Sequence, residues 1–183
     1  MPHSLFRDRL IALANENADN PSGFLEGLSD IHLDWHTETP PTYGFLLFHH
    51  RVVRYFTAIV SPQIQPPITA FTANDFQGMG VQPFAANLAN IDTLTELGNF
   101  SSAFESWHNT AHGLIGSATQ TPMMDPRQNI FFRPFWRLHL YIDGLFQQVL
   151  QQYGNTQHPN QFVTAAAVVG HLEVSHHSWV PSI

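Results

Sequence analysis

Apolar residues recur at helical spacing along most of the chain. Leu5, Phe6, Leu10, Leu13 and Ala14 form one stripe, which predicts a first helix over Ser4 to Asn17 with Ser4 as its cap. Asn20-Pro21-Ser22-Gly23 reads as a turn, and Phe24 to His32 as a short helix. Pro40 and Pro41 break the stretch from Thr37 to Thr42. Tyr43 to Val60 has the length of a buried helix, with Phe45, Phe48, Val52 and Tyr55 near one side. Ser61 to Leu88, rich in Pro, Gly and Gln, predicts a long loop. Asn90 to Asn99 and Ser101 to Ile115 predict two helices, and Gly116 to Asn129 a second loop. Phe131 to Tyr153 predicts the longest helix, entered near Pro134. Gln161 to Val174 is apolar, but its β-branched residues leave helix against strand open. The expected fold class is all-α: a helical bundle with long connecting loops, forming a single domain over residues 1–183.

Composition narrows the functions. A content of 43% apolar residues over 183 positions supports one packed core and argues against disorder. The absence of cysteine excludes disulfides, thiolate metal sites and thiol chemistry. All 7 basic residues are arginine, and 14 acidic residues bring the net charge to -7, so no nucleic-acid partner is expected. No apolar run reaches the roughly 18 residues of a membrane span, so no membrane partner is expected either. Met1 to Ala14 lacks the basic-then-apolar order of a secretory signal, which leaves a cytoplasmic location as the default. The oligomeric state is not legible.

The unusual number is 12 histidines. In Trp107-His108-Asn109-Thr110-Ala111-His112-Gly113, two of them lie four apart and share a helix face, close enough for one metal ion. The alternative is two histidines that merely share a face. Zinc proteases use this spacing with a Glu between the histidines, and Asn109, Thr110 and Ala111 exclude that reading. His139, deep in an apolar helix, is the expected third ligand: a lone buried imidazole needs partners for both nitrogens. Its alternative is a core histidine bonded to Asp143, one turn on. His32 and His36, again four apart, precede the proline bend, which can carry them back beside His49-His50-Arg51. Adjacent side chains on a helix diverge by about a hundred degrees, so one of His49 and His50 faces a given ion. The second expected set is His32, His36 and His50, with His49 able to replace either His32 or His36. His3 and His158 read as solvated, and His171, His176 and His177 as surface or terminal histidines.

These segments resemble the tyrosinase and hemocyanin family of binuclear (type 3) copper proteins. His108-Asn109-Thr110-Ala111-His112 matches the family's pair of ligands for its second copper. Phe135, Trp136, His139 and Asp143 match the motif of the third, with Leu138 where a histidine often stands. The family's Asp-Pro before Phe-Trp is displaced, since Asp125-Pro126 lies farther upstream. His50-Arg51 with Tyr55 and Phe56 matches the motif of the first copper, where an aromatic residue precedes the ligand. The middle ligand's usual place falls on Pro41, which cannot bind copper, so His36 stands in for it. The resemblance spans roughly Phe24 to Phe146.

The resemblance implies two copper ions that share dioxygen, with small phenolic compounds as substrates: hydroxylation of monophenols, oxidation of catechols to quinones, or both. It equally admits a non-catalytic dioxygen or copper carrier, or a degenerate structural homologue, because fold alone does not settle activity. The chemistry of the donors agrees, since an all-imidazole site suits copper, nickel or zinc rather than hard cations. In the family, an asparagine at the place of Asn109 works with a glutamate to hold a water that takes the phenolic proton. Glu105, one turn before Asn109, is the expected partner, with Glu96 as the other nearby carboxylate.

Overall fold

The computed structural model describes residues 20–37, 44–85 and 94–155, together with positions 12, 15–17, 19 and 91. The segments expected over Ser4 to Asn17 and Gln161 to Val174 lie largely or wholly outside the described residues. So do His3, His158, His171, His176 and His177. Among the described residues the architecture is helical, with no strand. No helix there is long and apolar enough to cross a membrane.

Helix α1 spans Pro21–Thr37. What reads locally as an Asn20 to Gly23 turn is its N-terminus. Asn20 Oδ1 accepts from the Gly23 amide at 3.3 Å, and Pro21 takes the first helical position, where no amide hydrogen is required. The helix buries Phe24, Leu28, Ile31 and Trp35 along one stripe and continues a full turn past His32, so His36 is helical too. Helix α2, Gly44–Ile59, is buried along its first half and exposes Arg54, Thr57 and Ala58 in its second. Phe45, Phe48, Val52, Val53 and Phe56 are buried, and so are His49, His50 and Arg51.

The stretch expected as loop from Ser61 carries a 3-10 turn, Ser61–Gln63, and a six-residue helix α3, Ala73–Gly78. Thr72 and Asp75 close α3 with a reciprocal capping box. Arginines of the last helix fasten this cover. Arg133 donates to the Pro66 carbonyl at 2.7 Å, and Arg137 bonds Asp75 at 2.9 Å while lying over the Phe71 ring.

Helix α4, Leu94–Thr119, is one element of 26 residues where the sequence suggested two. The stripe Leu97, Phe100, Phe104 keeps its register through Gly98 and Asn99, so burial holds the helix continuous. The helix also overruns Gly116, the expected start of a loop. Gly116 has a different task. A Cβ there would stand 3.1 Å from both the Thr121 carbonyl oxygen and Met123 Cβ, so glycine lets residues 120–124 fold tightly back on the helix. Gln120, at φ 56, makes the left-handed step out of it. A 3-10 turn, Asn129–Phe131, leads into helix α5, Arg133–Asn155, with Pro134 in its first turn. Helix α2 packs chiefly on α5, where Phe56 and Trp136 stack 3.6 Å apart, and also on α4.

Candidate metal centre

Six imidazoles meet where α1, α2, α4 and α5 converge. Helix α1 contributes His32 and His36, α2 contributes His49, α4 contributes His108 and His112, and α5 contributes His139. Ligand nitrogens of His32, His36 and His49 lie within 4.8 Å of one another, as do those of His49, His108 and His139. His49 therefore stands between the two halves, its ring 4.9 Å from that of His139 and 5.3 Å from that of His108. His112 adjoins the second group, 4.2 Å from His108 between ring centroids. The Nε2 atoms of His32 and His36 are 3.0 Å apart, and those of His108 and His139 are 3.1 Å apart.

The opposite ring nitrogens explain this convergence. His49 Nδ1 donates to the Phe45 carbonyl at 2.7 Å, and His139 Nδ1 to the Phe135 carbonyl at 2.7 Å, each one turn back on its own helix. His112 Nδ1 donates to the Met123 carbonyl at 2.6 Å, and His32 Nδ1 to the Pro126 carbonyl at 3.1 Å. His108 Nδ1 donates to Asn109 Oδ1 at 3.1 Å. A carbonyl oxygen only accepts, so each of these bonds places the proton on Nδ1 and leaves Nε2 as a bare lone pair. The Nε2 atoms of His49 and His112 are buried with no hydrogen-bond partner at all. Orphaned acceptors of this kind are costly in an apolar interior, and a metal ion would satisfy them.

Burial also sets the charge. It pushes His32, His49, His108 and His139 well below the usual histidine range, and the neighbouring imidazoles add to the effect. Burial brings His36 and His112 down to about 4. His36 is exposed as a residue, but its Nε2 sits against buried His32. At neutral pH the cluster is a set of uncharged imidazoles, the form that binds metal. The donor set thus fits a metal centre.

Five of the six expected ligands are gathered here; His50 is not. Its Nδ1 bonds Asp143 Oδ1 at 2.5 Å, on the side of α2 that meets α5 away from the cluster, and His49 takes the inward position. The hundred-degree step between neighbours is the reason. Arg51 directly after His50 drew the expectation to the member of the pair that lies outside the cluster. Phe48, the aromatic residue directly before His49, was the signal that pointed to the one inside it. The bond from His50 also removes the alternative role for His139, because Asp143 is not its partner.

A cleft of about 190 Å³ opens onto the cluster, with His36, His108, His112 and Asn109 on its wall together with Met123, Met124, Pro126 and Asn129. Asn109 is thus at the cleft, its side-chain oxygen already engaged by His108. Glu105 is half-buried and its carboxyl is raised by that burial, but it does not line the cleft.

Compared with known protein families, with characterised proteins and with solved structures, the chain shows no match. The site itself defines the class: a protein helical throughout its described elements, with two histidine clusters able to coordinate metal ions.

Proposed function

We propose that the chain binds a pair of copper ions and takes up dioxygen between them. His32, His36 and His49 would hold one ion, and His108, His112 and His139 the other. The observation that carries this reading is the common arrangement of the rings: five Nδ1 atoms are committed to oxygen acceptors, so the Nε2 atoms converge as bare donors. The absence of thiolates favours an imidazole-binding metal, and the resemblance to binuclear copper proteins narrows the choice to copper. Bound there, the copper pair would supply reversible redox chemistry toward dioxygen. The test is metal analysis after copper loading, followed by absorption spectra under dioxygen. Two coppers per chain and a new near-ultraviolet charge-transfer band are expected; one tightly bound ion per chain would sink the paired site.

A second reading, oxidation of phenols, rests on the cleft. A pure carrier is served by a covered site, whereas here His36, His108 and His112 are reached through an opening. Turnover of catechol or tyramine by the copper-loaded protein supports this reading. The same absorption band without turnover leaves the carrier.

A further inference from the structure

A second cavity, of about 490 Å³, shares no lining residue with the cleft at the histidine cluster. It lies where the cover carrying α3 meets the end of α4, at Thr119, and the start of α5. Its volume falls within the roughly 300–1,000 Å³ of small-molecule sites.

Charge decides what this cavity suits. Arg133 and Arg137 lie one turn apart on α5, and both line it. They are two of only 7 basic residues in a chain of net charge -7. Like charges at this spacing repel. One carboxylate on the wall, Asp75, answers the pair through its bond to Arg137, which leaves one positive charge in excess. The guanidiniums are also only partly used. Arg137 donates from Nε to the Thr69 carbonyl and from Nη2 to Asp75, and Arg133 donates from Nη2 to the carbonyls of Pro66 and Pro67. Each keeps further N–H groups for an acceptor, because a guanidinium carries five. Both side chains are open to solvent, Arg137 at 30%, so an entering anion can reach them. The first turn of α5, with Arg133 and Pro134 on the wall, adds the positive end of a 23-residue helix. Phe71, Met79 and Pro134 make the wall apolar elsewhere. Asp75 opposes a second negative charge, so a monoanion fits better than a phosphate.

We propose that this cavity binds a small monocarboxylate with an apolar body, its carboxylate on Arg133 and Arg137 and its body against Phe71, Met79 and Pro134.

Hexanoate and hexanamide share one body and differ in charge. Titration of the full chain with each, followed by NMR, is expected to show hexanoate bound about five- to tenfold more tightly, the scale of a charge-assisted bond at a part-exposed site. In Arg133→Gln that preference should fall to about twofold or less, with hexanamide binding retained. If Arg133 serves only to fasten the cover, its loss weakens both ligands alike and leaves the ratio intact, which overturns the proposal. Gly78 lines the same cavity, and a Cβ there meets nothing within 4 Å. Gly78→Phe should therefore weaken both ligands by filling the room of their shared body while both arginines remain. Unchanged hexanoate affinity in that variant would put the site elsewhere and overturn the proposal. A preference that appears only after copper loading would assign the carboxylate to the metal centre, with the same result. No binding, or equal affinities in the unaltered protein, overturns the proposal whether or not the variants fold.

Discussion

The two halves of the centre are built alike but supported differently. In each, one helix supplies a pair of histidines four residues apart, and the next long helix supplies a third whose Nδ1 bonds a phenylalanine carbonyl one turn back. His32, His36 and His49 repeat the arrangement of His108, His112 and His139. The difference lies in what holds the paired histidines. In the α4–α5 half, His112 is held by the Met123 carbonyl from the loop that joins its own two helices. In the α1–α2 half, His32 is held by the Pro126 carbonyl of that same loop, and His36 is exposed. The first half therefore borrows support from the second. Asymmetric binding follows: the α4–α5 half should keep its ion more tightly, because all three of its rings are buried and locally fixed.

The largest effect belongs to the ring between the halves. His49→Ala should abolish dioxygen binding and reduce the metal content below two, since His49 adjoins both groups. His50→Ala should keep two ions. Its effect is on stability, a loss of about 1–3 kcal/mol as buried Asp143 keeps Gln147 on Oδ2 but loses the partner of Oδ1. Chemical denaturation and metal analysis of the two variants separate these outcomes. Loss of metal in the His50 variant with His49 intact would contradict the assignment.

Acid should act on both halves at once in the metal-free protein. His36 and His112 titrate at about 4 in the fold against an ordinary value of 6.5, and the other four lie well below 6.5. The unfolded chain thus binds more protons throughout this interval. The stability from keeping the rings neutral is fully present above about 6.5 and is lost as pH falls from there toward about 4. Melting temperature measured across that range should drop steeply, and copper should push the drop to lower pH because it competes with protons for Nε2. A flat profile between pH 6.5 and 4 would refute the buried, neutral cluster.

Much of this was legible in the chain, and the failures have physical causes. Spacing paired His108 with His112, because four residues on a helix fix a shared face whatever the surroundings, and the apolar run around His139 marked the third. It did not separate His49 from His50. Every described side chain of α2 from Phe45 to Val53 is buried, and the exposed stripe of Arg54, Thr57 and Ala58 begins only beyond the pair, so no exposed residue near His49 and His50 sets the phase there. The continuity of α4 was hidden because the expected helices stopped at Asn99 and restarted at Ser101, and packing of Leu97, Phe100 and Phe104 joins them. The acceptor carbonyls of Met123 and Pro126 were invisible, because every residue has a carbonyl and only the folded loop shows which ones matter.

That loop gives the next contrast. Asp125 Oδ1 accepts from the Arg127 amide at 2.9 Å, and Oδ2 from Gln128 Nε2 at 2.6 Å, so its side chain shapes the turn between the two acceptor carbonyls. Asp125→Ala should weaken metal binding in both halves, by about 10–100-fold, the usual effect of releasing groups that orient ligands. Chelator competition that showed loss in the α4–α5 half alone would mean that the first half does not depend on this loop.

The smallest effect should be the most selective. Ser29 lies three residues before His32 on α1, and its hydroxyl donates to the Arg127 carbonyl at 2.5 Å. Arg127 directly follows Pro126, whose carbonyl holds His32. The two bonds together seat α1 on the loop, and only the one from His32 touches a ring of the cluster. Ser29→Ala removes a single neutral hydrogen bond at a partly buried position, worth about 0.5–1.5 kcal/mol, without changing any imidazole or the turn built by Asp125. The seat of α1 loosens while the Met123 carbonyl and His112 stay in place. Stepwise removal of copper by a graded chelator should then show the more weakly held ion leaving a few-fold more readily, with the tighter ion unchanged. Equal shifts for both ions would show that the serine bond stabilises the loop as a whole rather than the borrowed support of the first half.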